Sequence, residues 1–284
     1  MTSGLAATIG IIRLMKPISS SPPTLERFST ALHRALISWW EIIHFGAQVL
    51  VLMLSPSTYN RINGAGIAKQ IVISTWQVLA WFTILYALLS LVLIRIVVVT
   101  AFSYGLSQYA LEMVVRVLVL ELIPLSAALM VVIRSGISSS TSLAAMQQRG
   151  EFENLRNQGI DPLRSELLPR VISMIFAVLT LAAVSCVVAL ILAYLVAYGL
   201  SPWGIPGFTR MVGRVFNPAV SIGFAIKVIL FSVAVGIIPV ACALQVPRQL
   251  EKTPVYIPPI PYGMVRLFLV LLLIESMSLV IKYI

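Results

Sequence analysis

The chain has 284 residues, of which 11% are charged and 59% hydrophobic, and its mean hydropathy is +0.99. Soluble domains carry about 25% charged residues, so a water-soluble fold is excluded and an all-α polytopic membrane protein is expected. Its 20 Lys and Arg against 10 Asp and Glu give a formal net charge of +10, which here reads as basic loops that orient the protein and meet anionic head groups, with no nucleic-acid partner.

Residues 1–24 read as an N-terminal extension. Its apolar stretch Leu5–Ile12 is followed by Arg13 and Lys16 instead of a small-residue cleavage site, so no removable signal peptide is expected. Over 25–54, apolar residues recur at Leu25, Phe28, Leu32, Leu36, Trp39, Ile43, Ala47 and Leu50, with Arg27, Arg34, Glu41 and Gln48 opposite. That period predicts an amphipathic helix, and Trp39 and Trp40 suit the head-group level, so it is expected to lie along the interface. His33 and His44 share a flank of it, but about 16 Å of helix axis separates them and they cannot hold one ion.

Ile71–Ile94 carries no charge over 24 residues, enough to cross a bilayer, and the run continues beyond Arg95 to Phe102. This is the first predicted span. A second runs from about Ser107 to Ile133 and holds Glu112, Arg116 and Glu121, charges that must face protein or a water-filled cavity. Glu112 and Arg116, four apart with the acid first, are expected to pair. Glu121 has no partner at helical spacing and Pro124 loosens the backbone after it, which makes it the better functional candidate.

Between Arg134 and Arg170 lie five arginines together with Glu151, Glu153, Asp161 and Glu166. Ser140, Thr141 and Ser142 offer N-caps and Gly159 with Pro162 a stop, which predicts one helix over 142–158. Gly150 falls in its middle at a cost of about 1 kcal/mol. A third span, Val171 to about Leu200, ends in a turn on Ser201, Pro202, Gly204, Pro206 and Gly207. A fourth, about Pro218 to Val246, holds Lys227. The fifth, Gly263–Ile281, holds Glu275 and follows a proline-rich basic connector, Pro247–Pro261. Residues 66–284 thus form a five-span core. Lys227 is expected to be a partner for Glu121 or Glu275, or else a head-group contact. Cys186 and Cys242 sit in apolar runs and suit small core residues, with no disulfide framework or metal site.

Basic residues set the orientation. Residues 1–70 contribute six, the Arg134–Arg170 connection five, and Arg248, Lys252 and Arg266 three, so 14 of 20 fall on one side of a five-span protein. That side, with the N-terminus, is expected to be cytoplasmic.

No phosphate-binding G-x-x-x-x-G-K-[ST], no G-x-S-x-G and no H-E-x-x-H occurs. Polar residues are concentrated in three intramembrane positions and one cytosolic helix, a distribution suited to a transport pathway with a docking element.

Gly159-Ile160-Asp161-Pro162-Leu163-Arg164, Leu168-Pro169-Arg170, Glu121-Leu122-Ile123-Pro124, Arg134-Ser135-Gly136 and Ile226-Lys227 with Phe231 resemble, in order and separation, the MlaE (YrbE) permease family, membrane subunits of ABC transporters that work with MCE-domain proteins. The resemblance covers roughly residues 25–284. It implies a homodimeric permease of the bacterial inner membrane that moves phospholipids or similar lipids toward or from the outer envelope, with a periplasmic MCE-domain protein continuing the path. It also implies that Ser142–Gln158 is a coupling helix seated in a separate ATPase subunit, through Glu151, Glu153, Leu155, Gly159, Asp161 and Pro162. No cofactor is then expected in this chain, ATP and Mg residing on the ATPase. By position, Leu93, Thr100, Ala101, Tyr104, Glu121 and Leu122 would line the lipid cavity at the dimer interface. The chain departs from the family where glutamate is usual at Gly150, where glycine is usual at Ile123, and at Tyr256–Pro261.

Two other classes compete. An ion- or proton-coupled secondary transporter of an amphipathic substrate would use Glu121, Lys227 and Glu275, but paired inverted repeats are not found. An intramembrane lipid-modifying enzyme would need a nucleophile and base, which are not recognisable here.

Overall fold

The computed structural model describes residues 23–55, 61–105, 107–245 and 260–283. The extension at 1–22, most of the 247–261 connector and the side chains of Arg27, His33 and Arg34 lie outside the described residues. Among the described residues every regular element is helical. The chain divides into two units, Met1–Glu41 and Ile42–Ile284. The first is helical from Pro23, within α1 (Pro23–Leu54), and the second holds the remainder.

Next come α2 (Arg61–Ser103) and α3 (Ser107–Val114), joined by a tight turn in which Gly105 has a φ of 71°. The second span is not a regular helix. α3 passes into a π-turn segment, Val115–Leu122, then α4 (Ile123–Val131), a second π segment, Val132–Gly136, and α5 (Ile137–Gln148). A short helix, α6 (Glu151–Asn157), and a π segment, Leu163–Leu167, lead into α7 (Leu168–Tyr198). A 3-10 turn, Pro202–Gly204, precedes α8 (Ile205–Val215), and α9 (Pro218–Leu244) and α10 (Ile260–Tyr283) complete the chain.

By length and composition six helical stretches can cross a membrane: Leu36–Met53, Leu79–Ala101, Tyr109–Gln148, Leu163–Tyr198, Pro218–Leu244 and Gly263–Lys282. Five match the predicted spans. The other is the segment that the sequence lays along the interface.

Apolar burial does not drive helices together in lipid, so close packing has to. On α2 the buried residues Phe82, Tyr86, Ser90, Ile94 and Val98 recur every four positions and form one ridge. α2 packs most extensively on α7, whose buried Ala182, Ser185, Ala189 and Ala193 keep that surface low. α9 is the most buried span and touches α4, α5, α7 and α10. At Gly236 it comes so near α7 that a Cβ would lie 2.8 Å from Ile175 Cγ1 and 3.2 Å from the Val171 carbonyl oxygen.

Two local expectations are corrected and a third is met. The segment 142–158 is two helices, because Gly150 is left-handed (φ 71°) and ends α5 while opening α6. Glycine there is the residue such a joint calls for, not a flaw in a continuous helix. Ser140 and Thr141 are no N-caps, since their hydroxyls donate to the Ile137 carbonyl within a helix that is already running. The predicted stop at Gly159 does occur: with φ 76° it donates to Arg156 O at 3.0 Å while Ile160 N donates to Leu155 O at 3.0 Å, a Schellman closure.

In the second unit α1 buries Ile42, Gly46 and Val49, whereas Ile43 and Ala47 are exposed. The helix is apolar on more than one side, and the side that packs on the chain is the neighbour of the apolar stripe marked by the periodicity. The turn proposed over 201–207 holds the first residues of α8, whose helical period begins only after its Gly and Pro residues.

Replacing Gly236 with Ala is expected to destabilise the protein by about 1–3 kcal/mol through overpacking, read as a lower thermal midpoint in detergent. Gly213→Ala, where nothing lies within 4 Å of the added carbon, is the matched control.

Candidate functional site

Three of the singled-out side chains meet inside the bundle. Lys227, on α9 with 3% of its side chain exposed, forms ion pairs with Glu121 and, at 2.8 Å, with Glu275 Oε2 of α10. Its ammonium also donates to the Leu120 carbonyl at 3.4 Å and lies 5.9 Å from the Phe231 ring centroid. The expectation of Glu121 or Glu275 as partner is met by both. Glu121 lacks a partner on its own helix, but other helices supply two, because Lys282 Nζ reaches its Oε1 at 2.7 Å. Two carboxylates and two ammonium groups therefore balance in one cluster. Glu121, Glu275 and Lys282 each keep 13–16% exposure, so the cluster borders the surface of the chain on one side.

Lys282 was missed by sequence reasoning. It lies seven residues after Glu275, two turns along the same helical face, and that spacing is the signal that marks it. Glu121 stands in the π segment Val115–Leu122, where Ile123 N bonds to Leu118 O five residues back. A π turn admits one extra residue and so turns the side chains after it away from α-helical register. The irregularity thus runs through Glu121 itself, not only after it, and Pro124 sits where α4 begins, with no amide hydrogen to place.

Among the other proposed lipid contacts, four are on or just after the end of α2 and one, Leu122, adjoins Glu121. Leu93, Thr100 and Tyr104 stand at steps of seven and four, close to one face of the end of α2, with Ala101 beside them. Leu93 packs against the core, Ala101 is half-buried, and Thr100 and Tyr104 are exposed. Leu122 is exposed beside Glu121. Tyr104 follows directly on the last turn of α2, where its amide donates to the Thr100 carbonyl at 3.2 Å. Arg116 and Glu112 form the expected pair at 2.8 Å.

The residues proposed for coupling form an elbow. α6 has no fully buried residue. Glu153 is exposed, Glu151 and Leu155 are half-buried, and Phe152 packs against the core. Asp161 Oδ1 accepts the Leu163 amide at 3.1 Å, and Pro162 is buried. The segment is thus fixed at both ends by left-handed glycines and anchored by Phe152 and Pro162, with the outer side of α6 left uncovered.

Compared with known proteins, residues 67–278 match the family model described as Permease MlaE. No curated protein matches the chain.

Lys227→Met would leave Glu275 and one oxygen of Glu121 unpaired among apolar side chains, and is expected to cost about 3–5 kcal/mol in unfolding measurements. Lys282→Met is expected to cost less, because Glu121 keeps Lys227. Adding Glu275→Gln to Lys227→Met is expected to restore part of the loss, a coupling that a double-mutant cycle measures.

Proposed function

Because the chain belongs to the MlaE permease family, we propose that it is the membrane subunit of an ATP-driven ABC transporter that moves phospholipids or similar lipids between the inner membrane and the outer envelope. The match over 67–278, most of the chain, carries this reading. The molecule is a multi-pass membrane protein of a permease family, and the remaining details are built on that.

Two copies of the chain form the permease, with the N-terminus in the cytoplasm of a bacterium and the amphipathic 25–54 helix along the inner-membrane interface. A separate ATPase binds ATP and Mg and grips the elbow through Glu151, Glu153, Leu155, Gly159, Asp161 and Pro162. Half-buried Leu155, with Glu151 four residues before it on the same helical face, supports that docking, since a polar rim around an apolar contact is what a protein interface uses. An MCE-domain protein receives or delivers the lipid on the other side.

Lipid transfer requires an apolar path with a few polar handles. The end of α2 offers Leu93 and Ala101 as wall, with Thr100 and Tyr104 at the mouth. Glu121 and Leu122 lie where a charged cluster borders apolar surface. The four charges neutralise one another, which keeps the cluster tolerable at membrane depth and leaves them available to exchange partners with a charged head group.

Replacing Glu153 and Leu155 together with alanine is expected to abolish co-purification of the ATPase or to uncouple ATP hydrolysis from lipid movement. The check is affinity purification from the native host, followed by mass spectrometry of bound lipid and a vesicle-based transfer assay. Unchanged assembly and transfer would overturn the docking assignment, and transfer driven by an ion gradient without any ATPase would favour a secondary transporter.

A further inference from the structure

We propose that the outward face of α8, carrying Arg210 and Arg214, binds the phosphate groups of anionic bilayer lipids at the membrane end opposite α6. α8 joins the end of α7 to the start of α9, so connectivity holds it at that end. It packs against α3 and against the Val115–Leu122 segment of the second span. It therefore lies alongside the spanning helices, at the depth of their outer turns, and not above them in water.

Its inner face is apolar: Phe208, Met211 and Val212 are partly buried and Val215 fully. Arg210 and Arg214, four residues apart and so on one face, are both exposed, and neither has an ion pair among the described residues. Just before the helix, Leu200 and Trp203 are 91% and 92% exposed. An unpaired guanidinium is costly in hydrocarbon and settles by reaching the head-group layer, where phosphate accepts two parallel N–H bonds from it. Trp and Leu beside paired arginines are the composition of a helix held in the interfacial plane. The two arginines also run against the charge bias that places most basic residues at the α6 end, and a phosphate layer accounts for that exception. This anchorage is independent of which cargo the permease carries.

The test uses the full chain purified from mixed phosphatidylglycerol and phosphatidylcholine micelles, with retained lipid counted by native mass spectrometry. Arg210→Gln with Arg214→Gln is expected to lower phosphatidylglycerol retention roughly thirty-fold, at about 1 kcal/mol for each arginine near an anionic surface. Unchanged retention overturns the proposal. If that variant does not fold, the unaltered chain decides by hydrogen exchange in nanodiscs. Slower exchange over 205–215 with phosphatidylglycerol than with phosphatidylcholine alone supports lipid binding. Equal exchange, or protection that depends on a partner protein or a second copy, overturns it.

Discussion

A lysine with 3% of its side chain exposed, in a bundle built of apolar helices, is the constraint on which the arrangement turns. An isolated ammonium there would cost several kcal/mol, so Lys227 dictates that Glu121 and Glu275 stand within reach. One charge thereby fixes three helices relative to one another: the irregular second span, α9 and α10. Apolar packing between lipid-bathed helices tolerates rotation and sliding, whereas an ion cluster accepts one register. Lys282 closes the cluster by returning to Glu121, so the last helix is held at two levels.

That register explains the π segments. An ordinary α-helix from Ser107 to Gln148 has a single choice of azimuth for Glu121 once Glu112, Arg116 and the buried Val119 are placed. A segment with five-residue hydrogen-bond steps adds the freedom needed for Glu121 to reach Lys227 while Val115, Leu118 and Val119 stay buried. The second such segment, Val132–Gly136, lies against α9, where Gly136 leaves room for the ring of Pro239.

Much of this was legible from residues alone. Long uncharged runs marked five spans, because hydrocarbon accepts little else, and the acid-before-base spacing of Glu112 and Arg116 announced their pair. Lys227 could be matched to two acids because so few charges occupy the spans. Positive-φ geometry was harder: Gly159 declared itself through the following Pro162, but Gly150 stood within a stretch of good helix formers and looked like an interruption instead of a joint. α8 was hidden by its own Pro and Gly residues, which read as a turn. α1 is apolar on several sides, so its period marked one apolar stripe, and the side that packs on the rest of the chain, Ile42, Gly46 and Val49, lies next to it. The Lys282 contact lay 161 residues from Glu121, beyond any local pattern.

Helix length has a consequence of its own. Tyr109–Gln148 covers 40 residues and Leu163–Tyr198 covers 36, so at about 1.5 Å per residue they extend roughly 60 and 54 Å, against a hydrocarbon thickness of about 30 Å. The surplus falls at the end with the serines, glutamines and arginines, since the opposite ends are tied into short turns. There Ile137–Gln148 packs along α9 to its end, where Gln147 Nε2 donates to the Leu244 carbonyl at 3.1 Å, so the long ends that lead to α6 are braced by a third helix. A displacement of α6 would therefore be shared by α5 and by α9, the helix that carries Lys227.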